Sequence, residues 1–147
     1  MYTNSRSAAS AYASVGLETS VIAANPHKLI LMLFEGAQLA IRAAGVHMRE
    51  GNVQAKGAAI TKAITIIGSG LRAALDAKRG GEIAMQLDAL YDYMCQRLFV
   101  ANLKNRPEML EEVGALLAEL HSAWKQIGAQ DPGTAPAQGE TRTAVTA

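Results

Sequence analysis

Histidine and cysteine are the side chains of this protein best suited to acid–base, nucleophilic or metal chemistry, and the chain has few of them. It contains three histidines, His27, His47 and His121, and one cysteine, Cys95. No glutamate stands three positions before any histidine, so the Glu-x-x-His pairs that hold two metals inside ferritin-like helical bundles are missing. A single cysteine allows no intrachain disulfide, and we interpret it as a small apolar residue. The sequence therefore predicts no catalytic residue, no metal and no cofactor.

His47 suggests one enzyme-like alternative, because histidine phosphotransfer domains are also helical bundles that carry a reactive histidine on a helix. In those domains a lysine follows three positions later and a glycine four positions later. Here Glu50 and Gly51 occupy these positions, and a glutamate would repel a phosphoryl group that a lysine would help to neutralise. A phosphotransfer-like bundle stays as an alternative function.

Gly68-Ser69-Gly70 has the composition of a phosphate-binding loop but not its context. No lysine follows the run, and it falls inside a segment with helical periodicity. Glycine costs a helix interior about 1 kcal/mol relative to alanine. We expect Gly70 to share a shoulder of the helix with Ile66, where small side chains would let another helix approach closely.

Composition and charge set the class of protein. The 147 residues are 50% hydrophobic but only 5% aromatic, which favours packed helices over sheets. The net charge of +1 provides no general attraction to nucleic acid or to an anionic membrane. The longest uninterrupted apolar run, Leu29 to Phe34, is far shorter than the roughly 20 residues of a spanning helix. We expect a soluble, cytoplasmic protein with no nucleic-acid binding and no membrane insertion.

Hydrophobic periodicity predicts an all-α protein, an antiparallel four-helix bundle. Asn25-Pro26 is a helix start and Gly51 a helix end, while Gly80-Gly81 and Pro107 punctuate the later segments. The expected helices cover about 25–50, 53–79, 82–105 and 107–127, and long helices joined by short turns pack as antiparallel neighbours. Residues 1–24 are expected to form a partly docked N-terminal arm, residues 25–128 the bundle, and residues 129–147 a disordered tail.

The third predicted helix has more apolar side chains than a bundle core can use. Such surplus apolar surface usually marks a partner site on a soluble protein, and an amphipathic helix is the partner that suits a groove between helices. The residues we expect at this site are Ile66, Gly70, Met85, Tyr93, Phe99 and Leu103. A homo-oligomeric structural bundle, in which these side chains would be buried between copies, is the second alternative.

One stretch also carries a family resemblance. The run from Asn25 to Ala37, Asn-Pro-His-Lys-Leu-Ile-Leu-Met-Leu-Phe-Glu-Gly-Ala, resembles the signature of the FliS family of bacterial flagellin-specific export chaperones. Further similar segments follow in the same order, among them Leu90-Tyr91-Asp92-Tyr93-Met94 and Trp124-Lys125-Gln126-Ile127, so that the resemblance covers roughly residues 1–128.

The resemblance implies a function without catalysis. It implies an export chaperone that binds the disordered C-terminal segment of flagellin, prevents premature polymerisation and delivers its client to the flagellar type III secretion apparatus. The implied partners are flagellin and, for the complex with flagellin, the export gate protein FlhA. The family's N-terminal segment covers part of the binding surface, which makes Tyr12 a further candidate for partner binding.

Overall fold

The computed structural model describes Ala11 and residues 25–129, without the side chains of residues 77–79 and 129. Within these residues there are four long helices and no strand. They are α1 (Pro26–Glu50), α2 (Val53–Thr65), α3 (Ala77–Lys104) and α4 (Pro107–Ala129), and a π-helical segment, Ile66–Leu71, continues α2. The expectation of an all-α four-helix bundle is confirmed. The arm and the tail expected at residues 1–24 and 129–147 lie outside the described residues, apart from Ala11 and the backbone of residue 129.

The start and end of α1 follow the signals in the sequence. The Asn25 side chain accepts a hydrogen bond from the Lys28 backbone N–H at 3.1 Å, and Pro26 occupies the first turn. Gly51 ends the helix with φ of 75°, in the left-handed region that glycine adopts without cost. Asn52 then caps α2 through the Ala55 backbone N–H, so the two helices are joined by a tight turn.

The second helix differs from the expectation of one helix over residues 53–79. Its α-helical part ends at Thr65, and Arg72 closes the π-helical segment by donating its backbone N–H to the Ile67 carbonyl at 2.9 Å. Asp76 precedes the first residue of α3, a position where aspartate is a favoured cap. Gly81 interrupts α3 with φ of 53°, which is the break that the glycine pair predicted.

The four helices pack as a ring in which α1 neighbours α2 and α4, and α3 also neighbours α2 and α4. Helices α1 and α3 are therefore diagonal to each other. The core between them is aliphatic, and the largest fully buried side chains include Leu33, Ile60, Met94, Leu98 and Leu117.

Among the described residues, α1 is the one helix long and apolar enough to cross a membrane by length and composition. Its position in the bundle accounts for this composition, because a helix that packs against two neighbours buries a wide face. Seven of its residues are buried: Leu29, Leu33, Phe34, Ala37, Ala40, Ile41 and Ala44. The apolar character of α1 is that of a core helix.

Candidate functional site

The outward face of α3 carries three large apolar side chains with no cover. Met85, Phe99 and Leu103 are 71%, 61% and 68% exposed. They are separated by fourteen and four residues, so they fall close to one line along the helix. The exposed Ala89 lies on this line as well, and the polar pair Asp92 and Gln96 separates the Met85 end from the Phe99 end. We call Met85, Ala89, Phe99 and Leu103 the α3 stripe. It extends over about 27 Å at 1.5 Å per residue, the length of an amphipathic helix of five turns.

The inward face of the same helix explains why the stripe points outward. Tyr91, Met94, Leu98 and Ala101 are all buried in the core, so the side chains half a turn away from them must face solvent. The burial of Tyr91 raises its pKa to about 12. Core packing thus fixes the orientation of α3 and, with it, the orientation of the stripe.

Polar contacts border the stripe on its α4 side. The Tyr93 hydroxyl donates a hydrogen bond to Glu112 at 2.5 Å, and the Arg97 guanidinium contacts the same carboxylate at 2.8 Å. The hydrogen bond raises the pKa of Tyr93 and lowers that of Glu112, since it is made to the ionised carboxylate. Tyr93 is 40% exposed, so its ring lies beside the stripe while its hydroxyl is engaged.

Ion pairs border the stripe on its α2 side. Arg72 contacts Asp88 at 2.6 Å and Asp92 at 3.2 Å. The hydrogen bond with Asp88 raises the pKa of Arg72 and lowers that of Asp88. A shallow groove of about 360 Å³ lies here, lined by Arg72, Leu75, Ala84, Met85 and Asp88. The apolar end of the stripe at Met85 therefore opens into a concave site.

A contact from the N-terminal part of the chain lies on the π-helical segment. Ala11 is fully buried, and a Cβ placed on Gly70 would lie 2.9 Å from the Ala11 Cβ and 3.2 Å from the Leu33 side chain. That distance is too short for two carbon atoms, so only glycine at position 70 leaves room for Ala11. Residue 70 is thus the point where Ala11 packs against the bundle.

The structure brings together part of the predicted site. Met85, Phe99 and Leu103 lie on the stripe, and Tyr93 lies next to it. Ile66 is fully buried and Gly70 is covered, so neither has the accessible shoulder position that we expected. Gly70 is covered by Ala11 and Leu33, and Ile66 lies in the hydrophobic core with Ile67 and Leu71 of the same π-helical segment. Tyr12 lies outside the described residues.

Sequence reasoning missed the exposed face of α1. Leu39 is 59% and Val46 41% exposed, although an apolar helix at the centre of a bundle is expected to be covered on most sides. The sequence carried one signal of this exposed face. Arg42 and Arg49 stand two turns apart on α1, close to the line of Leu39 and Val46.

Each of the three histidines lies close to another side chain of the bundle. His27 stacks on Trp124 with ring centroids 5.0 Å apart, and His121 stacks on Phe34 at 5.8 Å. His47 lies 3.9 Å from Glu50, the acid that departs from the phosphotransfer pattern.

Burial raises the pKa of Cys95 to about 11, which keeps the thiol protonated near neutral pH. Within the described part of the chain no group of three or more His, Cys, Asp or Glu side chains is placed to hold a metal ion.

Comparison with known proteins gives one consistent result. The family model described as "Flagellar protein FliS" matches residues 8–131. The flagellar secretion chaperone FliS of Salmonella typhimurium is 51% identical over 127 residues, which cover 86% of this chain and 93% of that protein.

Two more distant relatives carry the same name. The Escherichia coli protein is 43% identical over 116 residues, covering 79% of this chain and 85% of its own length. The Bacillus subtilis protein is 37% identical over 109 residues, covering 74% and 80%.

Proposed function

The chain belongs to the FliS family, and from that premise we propose that it is a cytoplasmic export chaperone for flagellin. In this proposal it binds the disordered C-terminal segment of flagellin, keeps it from polymerising prematurely and delivers it to the flagellar type III secretion apparatus. The observation that carries the proposal is the α3 stripe, whose exposed apolar side chains lie at the two ends of a line about five turns long, on a helix whose core face is already filled.

The physical chemistry of the stripe suits a client that folds on binding. A disordered segment that becomes an amphipathic helix can lay its apolar face along Met85, Phe99 and Leu103, with side chains recurring every three or four residues. The ordering of the segment consumes part of the binding free energy, so a large surface can be covered and the client still released. Neither step needs a nucleotide or a metal.

We propose that the client also binds a second place, away from the α3 stripe, where Ala11 of the N-terminal segment packs in the free protein. Ala11 occupies the site next to Gly70 and Leu33, and the client would take the place of this segment there. Displacement would expose Gly70 and the shoulder around Ile66, so both residues stay in the proposed contact set. Tyr12, next to Ala11 in the chain, is proposed to become available for a second partner when the segment moves.

Titration calorimetry with a flagellin peptide tests the proposal. A peptide of the last 40 or so residues of flagellin is long enough for about two helices. We expect one-to-one binding with a negative heat-capacity change. Phe99→Asp should weaken this binding at least tenfold, because it places a charge within the buried contact.

Glu119→Ala is the matched control, since Glu119 is an exposed residue on the outer face of α4. Absence of binding, or equal affinity of the Phe99→Asp variant, would contradict the proposal. A dimer by light scattering, in which Phe99→Asp produces monomers, would instead favour the homo-oligomeric bundle.

Delivery to the secretion apparatus is proposed to depend on FlhA, which would recognise the complex of chaperone and flagellin. The chaperone–peptide complex and the chaperone alone should therefore differ in gel filtration with the FlhA cytoplasmic domain. Co-elution is expected for the complex, with loss on Tyr12→Ala. Equal co-elution with and without the flagellin peptide would count against this step.

A further inference from the structure

The groove between α1 and α4 has features that the core does not explain. It has a volume of about 310 Å³ and is lined on the α1 side by Arg42, Gly45, Val46 and Arg49. Val46 is 41% exposed, although its side chain is aliphatic and α1 is, among the described residues, the helix long and apolar enough to cross a membrane. Of the two helices that form this groove, α1 is diagonal to α3 and α4 neighbours it.

Two glycines line the groove, Gly45 on α1 and Gly114 on α4. A Cβ on Gly114 would lie 3.9 Å from the Ile41 side chain, and one on Gly45 would lie 3.7 Å from the Arg49 guanidinium. Both distances are ordinary van der Waals contacts, so neither glycine is required by its neighbours. Without side chains at these positions, the groove is deep enough for another helix to approach closely.

Three charged side chains lie beside the groove: Arg42, Arg49 and Glu111. Among the ion pairs of the described residues, none involves Arg42, Arg49 or Glu111. Arg42 and Arg49 stand seven residues apart, which is about 10.5 Å or two helical turns. Arginine is the side chain best suited to hold a carboxylate through two parallel hydrogen bonds. The spacing matches acidic residues seven apart on a partner helix.

We propose that this groove binds an acidic amphipathic helix of a second protein partner. The partner's carboxylates pair with Arg42 and Arg49, and its small or aliphatic side chains between them pack on Val46 and into the space above Gly45 and Gly114. The groove shares no lining residue with the α3 stripe, so this partner and a client on the stripe bind at the same time. The chaperone then acts as an adaptor with two separate docking faces.

The surroundings favour a protein helix over a lipid surface. Glu111 lies in the groove itself, and Glu35 is exposed on the same helix as the two arginines. Carboxylates at these positions would repel anionic headgroups, whereas a helix can place its own charges to avoid them. The concave shape also fits a helical ridge better than a flat bilayer.

A charge-exchange experiment tests the proposal. The probe is a fluorescein-labelled synthetic helix of about 20 residues, built from alanine and leucine with two glutamates seven residues apart. Its control carries lysines at the same two positions. Fluorescence anisotropy at about 50 mM salt, where exposed charges are weakly screened, should show binding of the glutamate helix and at least tenfold weaker binding of the lysine helix.

Two variants separate the groove from general effects on folding. The double variant R42E and R49E should reverse the preference, so that it binds the lysine helix more tightly than the glutamate helix. Gly45→Leu should weaken the glutamate helix about tenfold with an unchanged or raised melting temperature, because leucine is a better helix former than glycine. Saturating flagellin peptide should not displace the probe.

Three results would overturn the proposal. They are equal binding of the two synthetic helices, no binding of either, and displacement of the probe by the flagellin peptide. A last measurement is binding of the protein to vesicles that contain about 30% phosphatidylserine. Binding to these vesicles that is lost in the R42E and R49E double variant, without a preference between the helices, would assign the face to a membrane and likewise overturn it.

Discussion

Helices α3 and α4 are neighbours in one bundle, and their outward faces differ in the large apolar side chains that they expose. The outer face of α4 carries acidic, small and hydroxyl side chains, namely Glu111, Ala115, Ala118, Glu119 and Ser122, all of them exposed. The outer face of α3 carries the α3 stripe. Both helices bury a full apolar face, with Val113 and Leu117 inside on α4 and Met94 and Leu98 inside on α3. Packing of the bundle therefore does not require these exposed apolar side chains, which is why we propose a second role for α3.

The largest expected effect is a difference in stability between substitutions on the two faces of α3. Leu98→Ala removes a fully buried side chain and should lower the free energy of unfolding by about 2–5 kcal/mol. Leu103→Ala removes one that is mostly exposed and should change it by less than about 0.5 kcal/mol. Urea denaturation followed by circular dichroism measures both. A loss at Leu103 as large as that at Leu98 would mean that the stripe is covered in the free protein.

Ala11 tests the contact between the N-terminal segment and the bundle. Ala11→Asp buries a carboxylate beside Gly70 and Leu33, so the segment should detach at a cost of about 1–3 kcal/mol of stability. Flagellin peptide should then bind severalfold more tightly, because it no longer competes with the segment. Calorimetry on both proteins measures the difference. Unchanged affinity would separate the N-terminal segment from the client site.

The ion pairs bordering the stripe should matter less. Arg72→Gln removes the contacts with Asp88 and Asp92, which are partly exposed, so stability should fall by at most about 1 kcal/mol. The difference from the unmodified protein should shrink in high salt, because screening weakens exposed pairs. Thermal unfolding at low and high salt measures this. A loss of several kcal/mol that is insensitive to salt would show that the pair is structurally central.

The smallest expected effect concerns the inner edge of α4. Burial, followed by the charge of Lys125, lowers the pKa of His121, while Glu35 at 3.6 Å opposes the shift. The unfolded chain therefore binds more protons than the folded one between the folded pKa and the ordinary value of 6.5, so stability should fall as pH drops below 6.5.

The variant His121→Phe removes the titratable side chain and keeps an aromatic ring stacked against Phe34. Urea denaturation of both proteins at about pH 7.5 and about pH 5.5 measures the contribution, because carboxylates titrate in both and only the histidine differs. Equal pH dependence in the two proteins would show that His121 does not contribute.

Local signals were enough to predict much of the fold. Asn25, Pro26 and Gly51 define α1 because capping depends on a few neighbouring residues, and the clean stripe of α4 predicts its inward face. The second helix was predicted too long. The α-helix ends where the π-helical segment begins, and no proline or glycine pair marks that point in the sequence. The glycines within the π-helical segment suggest a packing strip rather than a helix end.

The site was predictable only where it depends on one helix. Met85, Phe99 and Leu103 follow from the periodicity of α3 alone. The burial of Ile66 and the contact of Ala11 with Gly70 depend on segments distant in sequence, and a single sequence does not show which shoulders meet. The exposure of Leu39 and Val46 was missed for the same reason, since it depends on the distance between α1 and its neighbours.

Site-specific photocrosslinking tests the central claim most directly. A benzoylphenylalanine introduced at position 99 and, separately, at position 119 reports which face touches the flagellin peptide. The account predicts a crosslinked product from position 99 and none from position 119. Equal crosslinking from both positions, or crosslinking from position 119 alone, would contradict the assignment of the client to the α3 stripe.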